Sequence, residues 1–166
     1  LDQHESDLIR NAIEFNDLEV SEILTPRVDL VAVPDTATMD QAASLFVESG
    51  YSRLPIYHDS IDNIVGVVHE KDFNAARYRG ETQLSELKAP VLYTTGNTKI
   101  SELLRILQKN KAHMAVVVDE YGGTEGIATL EDIVEELVGD IWDEHDEVIE
   151  EFKKQEDGSY CLLYTS

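Results

Sequence analysis

Thr129 and Asp132 stand three residues apart in GIATLEDIVEEL (126–137), where a short apolar run gives way to a helical pattern. A hydroxyl followed at that spacing by a carboxylate has two readings. As an N-cap, the pair accepts bonds from orphan backbone N–H groups at a helix start and stabilises the helix by about 1 kcal/mol. As a binding site, the same N-terminus offers unpaired amides and the positive end of the helix dipole to a phosphorylated ligand that the two side chains help to hold. The pair by itself leaves both readings open, and the elements around it bear on the choice.

Those elements occur twice. SRLPIYHDSIDNIVGVVHEKDF (52–73) aligns over AHMAVVVDEYGGTEGIATLEDI (112–133) at a constant offset of 60, placing Gly66 on Gly126, Asp59 on Asp119 and Asp72 on Asp132. Upstream, TMDQAASLFVESG and KISELLRILQKNK align at an offset of 61, with Met39, Ala42, Ala43 and Phe46 against Ile100, Leu103, Leu104 and Leu107, all at helical spacing. The change of one residue is expected in the loop after that helix. A period of about 60 residues is too long for the common solenoid repeats and marks a duplicated supersecondary unit. Each copy reads as an extended segment (LVAVP; PVLYT), an amphipathic helix, two strands joined by a turn rich in Asp, Asn or Gly, and a closing helix. The fold class is therefore α/β, two β-α-β-β-α units packed sheet to sheet about a pseudo-twofold axis, since one unit alone has too little core.

In such a pair, the strand-to-helix junction of one copy lies across from the start of the first hairpin strand of the other. Thr129 and Asp132 are then expected to face GYSRLP (50–55). The combination makes chemical sense for a nucleotide. The Thr129 hydroxyl and helix amides bond phosphate, Asp132 accepts two ribose hydroxyls, and Arg53 forks onto phosphate oxygens. Pro55 and nearby aliphatic residues supply walls for a flat base. Taken singly, Arg53 is also readable as a surface ion-pair partner and Pro55 as an edge-strand residue.

Composition narrows the remaining classes. The 34 acidic and 13 basic residues give a formal charge of −21, which repels nucleic acid and anionic lipid. The single cysteine, Cys161, allows no internal disulfide and points to a reducing, cytoplasmic setting. No apolar run approaches the roughly 20 residues that cross a bilayer. The five histidines form no H-E-x-x-H pattern and no Gly-rich phosphate loop is present, so no enzyme is expected. EYGGTEG (120–126) reads as a hairpin loop with a glycine at positive φ. The acidic run DIWDEHDEVIEE (140–151) lacks the spacing of a calcium loop and is read as a solvated extension, with no metal site assigned.

The strings EILTPRVDL, GYSRLPIY and HMAVVVDEYGGTEGIATLEDIVEELVGDIWDE resemble a tandem pair of CBS (cystathionine β-synthase) domains of the CorC/HlyC group, which includes hemolysin-C-like proteins and the CNNM/CorB magnesium transporters. The resemblance runs over about residues 20–147. Ahead of it, helical spacing at Leu8, Ile9, Ala12 and Ile13 reads as a leading helix over 1–24. The resemblance implies CBS repeats over 25–84 and 85–140, and an acidic linker over 141–166 that ends in the start of a transporter-associated domain. It implies binding of ATP or another adenine nucleotide, with magnesium held through the nucleotide phosphates. The nucleotide contacts would be Thr25, Tyr51, Ser52, Arg53, Pro55, Thr129 and Asp132. A weaker second site would have Asp72, His69 and His113, with His69 at the threonine position and Ala112, His113, Met114, Ala115 in place of the Ser-x-x-Pro run. It further implies a homodimer, a membrane transport domain in the full-length protein, and a place on the cytosolic face of the membrane. Two other readings are a docking module of the same fold that binds no nucleotide and a metal-dependent hydrolase that uses the acidic segment.

Overall fold

A computed structural model describes residues 3–5 and 18–144. The expected helical positions Leu8, Ile9, Ala12 and Ile13, the acidic residues after Glu144 and the tail with Cys161 lie outside the described residues.

Each copy contains the expected unit. In the first, β2 (Val33–Pro34) leads to α1 (Met39–Ser49), then β3 (Arg53–Tyr57), β4 (Ile64–His69) and α2 (Glu70–Tyr78). In the second, β5 (Leu92–Thr95) leads to α3 (Ile100–Lys109), then β6 (Met114–Val118), β7 (Thr124–Thr129) and α4 (Leu130–Glu144). Local chemistry sets the limits. At the start of α1, Thr38 Oγ1 accepts the Gln41 N–H at 3.1 Å while Gln41 Oε1 accepts the Thr38 N–H at 2.9 Å, a reciprocal capping box. The helix stops at Gly50, whose φ of 74° is the left-handed C-terminal turn that glycine adopts without strain.

The helical faces read from the sequence are the buried ones. Ala42 and Phe46 join Leu54, Ile56, Val68 and Phe73 in one core, where the Phe46 and Phe73 rings lie 5.2 Å apart and tilted. Ile100, Leu103, Leu104 and Leu107 join Ala115, Val117, Ala128, Ile133 and Leu137 in the other. Strand alternation sends the remaining residues to the opposite sheet faces. Met114, Val116 and Ile127 are buried yet belong to neither helix-covered core.

Two short connections cross between the copies. A fourteen-residue strap (18–31) enters through a 3-10 turn (Val20–Glu22), and its strand β1 (Thr25–Pro26) pairs antiparallel with β7, Thr25 opposite Ile127 and Pro26 opposite Gly126. Val20 is fully buried in the second core, and its N–H donates to the Thr98 carbonyl at 2.8 Å. The mirror connection does the converse. Leu84 is buried in the first core, and Ala89 exchanges backbone hydrogen bonds of 2.7 and 3.0 Å with Val67. These crossings explain why Gly66 and Gly126 recur. A Cβ on Gly126 would overlap the Thr25 carbonyl oxygen, and one on Gly66 would lie 2.8 Å from Lys88 Cβ.

Strand register corrects the sequence alignment. Arg53 pairs with His69 in the first hairpin, and Met114 pairs with Thr129 in the second. The second strands and closing helices keep the offset of 60, but β3 and β6 correspond at 61, like the helices before them. The Ser52 carbonyl accepts the Glu70 N–H just as the His113 carbonyl accepts the Leu130 N–H, both at 2.8 Å, and the strand irregularities at Ile56/Tyr57 and Val117/Val118 also match at 61. The one-residue difference therefore falls in the hairpin turn and not in the loop after the helix. His113 stands where Ser52 stands, Met114 where Arg53 stands, and His58, not Asp59, corresponds to Asp119.

Candidate functional site

A cleft of about 330 Å³ opens between the copies and brings together Thr25, Tyr51, Ser52, Arg53, Pro55, Thr129 and Asp132, all seven residues expected there. Three elements deliver them. The strap brings Thr25 to the edge of β7, the turn after α1 and the start of β3 bring residues 51–55, and the β7–α4 junction brings Thr129 and Asp132.

At that junction the cap is real. Thr129 Oγ1 accepts the Asp132 N–H at 3.0 Å, and Asp132 Oδ2 accepts the Thr129 N–H at 3.3 Å. This reciprocal pair does not exhaust either group. A hydroxyl has a second lone pair and a proton to donate, and Asp132 keeps its other oxygen. Capping aims the two side chains; it leaves them able to bind.

Arg53 reaches across the cleft, its Nη1 3.4 Å from Glu131 Oε2, with the arginine side chain only 22% exposed and the glutamate 64%. Asp29, Glu131 and Asp132 therefore line the cleft against one arginine. Leu30, Val31, Met114 and Ile127 complete the apolar wall. Of these, Ile127 was within reach of sequence reasoning, because a residue two before Thr129 on a strand shares its face. Asp29, Leu30 and Val31 were not, since their place depends on the strap crossing to the other copy. Tyr51 is 53% exposed at the rim, where its ring is free to cover a base.

The mirror cleft, about 520 Å³, gathers His69, Asp72 and His113 as expected, together with Asn110, Lys111, Ala89, Pro90, Met114 and Arg53, which lines both clefts. Its chemistry differs at almost every matched position. Ala89 faces Val67 as Thr25 faces Ile127, so a second hydroxyl is missing there. His69 takes the place of Thr129 and caps α2 through Nδ1, which accepts the Lys71 N–H at 3.2 Å. The corrected register puts His113 for Ser52, Met114 for Arg53 and Val116 for Pro55. Among the described residues, no group of three or more His, Cys, Asp and Glu side chains is placed to hold a metal ion.

The profile of the CBS domain family matches residues 20–78 and 84–139. The chain is a tandem pair of CBS domains. The pair is 39% identical to the CBS domain of a bacterial CNNM/CorC family Mg2+ transporter, with a TM-score of 0.72 over 84% of this chain and 86% of that one. It matches equally well a CBS domain of that transporter family solved in complex with ATP, at 38% identity and a TM-score of 0.72 over 81% and 98% of the two chains. Hemolysin C of Brachyspira hyodysenteriae is 40% identical over 162 residues, which are 98% of this chain and 60% of that protein. The pair thus belongs with the CNNM/CorC CBS domains, and it spans less than two thirds of the hemolysin C relative. Among the described residues, no helix is long and apolar enough to cross a membrane.

Proposed function

We propose that the CBS pair is a regulatory module that binds one adenine nucleotide per chain, in the cleft between Thr25, Arg53 and Thr129, and is not itself an enzyme. One observation carries this reading: three separate elements converge to present the hydroxyls of Thr25, Ser52 and Thr129, an arginine and a helix N-terminus beside an apolar slot. Phosphates suit the Thr129 hydroxyl, the α4 amides and Arg53. The ribose suits Asp132, and the base fits against Pro55, Ile127 and Tyr51. The complex of a related CBS domain with ATP supports the same class of ligand.

Magnesium enters with the phosphates. Asp29, Glu131 and Asp132 make the cleft unfavourable for a bare polyphosphate, and a divalent cation offsets that repulsion. Entry of the phosphates also exchanges one partner of Arg53, the Glu131 carboxylate, for another. In the full-length protein the module would act on a membrane transport domain from the cytosolic face, as a homodimer.

The test is thermal melting with ATP, ADP and AMP, each with and without magnesium. Binding to the folded state raises the melting temperature, by the equivalent of about 2.7 kcal/mol at a ligand concentration of 100 Kd. ATP with magnesium is expected to give a larger shift than ATP alone. A melting curve unmoved by every nucleotide would leave the docking module as the reading.

A further inference from the structure

Arg27, in the TPRVDL stretch, has no part in the nucleotide reading. It sits between Thr25, which lines the first cleft, and Asp29, Leu30 and Val31, which also line it, yet Arg27 itself does not. Its guanidinium forks onto Asp62 in the first copy's hairpin turn, with Nη2 3.2 Å from Oδ2 and Nη1 against Oδ1. Nη1 also donates to the Thr124 carbonyl of β7, in the second copy, at 3.2 Å. Asp62 closes the triangle by accepting the Thr124 N–H at 3.0 Å. One ion pair thus ties together the strap, the first copy's hairpin turn and the second copy's sheet. The hydrogen bond from Arg27, followed by the one from Thr124, holds the Asp62 carboxyl below its ordinary range.

Both side chains are about half exposed, 43% and 45%, and pairs of that kind add little to global stability. Geometry is the more informative feature. Among the described residues, the strap's strand pairing with β7 is the two residues of β1, and the guanidinium fork fixes it immediately after them. We propose that Arg27 and Asp62 are a positioning pair for the cleft. They hold Thr25 and the Asp29–Val31 wall in place against β7, and so set ligand affinity without touching the ligand. This rests on the nucleotide reading of the cleft.

The experiment combines hydrogen exchange of residues 20–31 with ATP titration in magnesium, on the unaltered chain, Arg27→Ala, Asp62→Ala, the double variant and Arg27→Lys. The expected result is faster exchange of the strap in both alanine variants and ATP affinity weakened about three- to tenfold, with the double variant no worse than either single one. Arg27→Lys, which keeps the charge and loses the fork, should recover part of both. Strap exchange unchanged in Arg27→Ala and Asp62→Ala would overturn the proposal. An unaltered chain that binds no ATP would sink the nucleotide reading instead, and the exchange arm would still decide whether the pair positions the strap.

Discussion

The two clefts of the CBS pair are built by the same elements, yet they present different chemistry. Both are closed by a strap from the other copy, a strand start and a capped helix, and both keep an aspartate on the third residue of the closing helix unit, Asp132 and Asp72. Around that shared frame Arg53 and Met114 line both clefts, but the first has Thr25, Ser52, Pro55 and Thr129, and the second has Ala89, His113 and His69, with the buried Val116 at the position that matches Pro55. Duplication therefore preserved what the backbone needs, including glycines at both strap crossings, and let the side chains facing a ligand diverge. The lesson is that a recurring residue in a duplicated fold need not be a functional one. Gly66 and Gly126 recur because backbone approaches them closely, whereas the residues proposed to bind, Asp132 apart, are those that do not recur.

Substitutions can break this contrast. The largest effect is expected from Thr129→Ile, which places a branched carbon chain where phosphate would bind and removes the hydroxyl. ATP binding should fall below detection in calorimetry, while loss of the cap costs about 1 kcal/mol of stability. A variant that melts lower yet binds ATP normally would show that Thr129 is a cap alone. Arg53→Ala follows. Loss of one charge-assisted contact of about 1.5–3 kcal/mol should weaken ATP tenfold or more. Its melting temperature without nucleotide should barely change, since a single partly exposed ion pair with Glu131 contributes at most about 1 kcal/mol. Equal ATP affinity before and after this change would place the ligand elsewhere.

Sharpening the contrast means moving the second cleft toward the first. His69→Thr with Ala89→Thr restores two hydroxyls at matched positions without touching the first cleft. Titration of this variant should reveal a second, weak binding phase, because His113 and Met114 still stand where the first cleft has Ser52 and Arg53. The smallest effect concerns the hairpin turns. His58 Nδ1 lies 2.8 Å from Asp35 Oδ2 and its Nε2 3.5 Å from Asp59, whereas Asp119, at the matched position, caps its own turn through the Tyr121 and Gly123 amides. The hydrogen bond to Asp35, then the charges of Asp59 and Asp35, raise the His58 pKa. A raised folded-state value means a stabilising contribution that is full below the ordinary imidazole pKa and is lost as pH rises through the folded one. The melting difference between the unaltered chain and His58→Asn should therefore be greatest below about pH 6 and vanish well above neutrality. A difference that grows with pH would contradict the assignment.

Much of this was legible in the sequence, for identifiable reasons. Helical periodicity alone picked out Phe46 and Leu107 as core, and the repeat supplied the β-α-β-β-α order. The first cleft's seven residues came from the family resemblance joined to chemical sense at Thr129, Asp132 and Arg53. The register of β3 and β6 was misread because LPI and MAVV are buried on both faces, so a slip of one residue leaves no polar residue conspicuously misplaced. Gly66, Gly126, Asp72 and Asp132 anchor only the second strand and its helix, and the strand before them carries no such marker. The strap was hidden for a different reason. A strand of two residues has no periodicity, and the sequence cannot say that Thr25 pairs with Ile127, a hundred residues on. Arg27 was quoted with its neighbours but offered no role until its partners Asp62 and Thr124 were in view.

The central claim is that only one of two architecturally equivalent clefts is a nucleotide site. Isothermal titration of the unaltered chain with ATP in magnesium tests it most directly. One nucleotide per chain in the tight phase, removed by Thr129→Ile, weakened tenfold or more by Arg53→Ala and untouched by His113→Ala, is the predicted result. Two equal sites per chain, or a tight phase lost in His113→Ala and kept in Arg53→Ala, would contradict it.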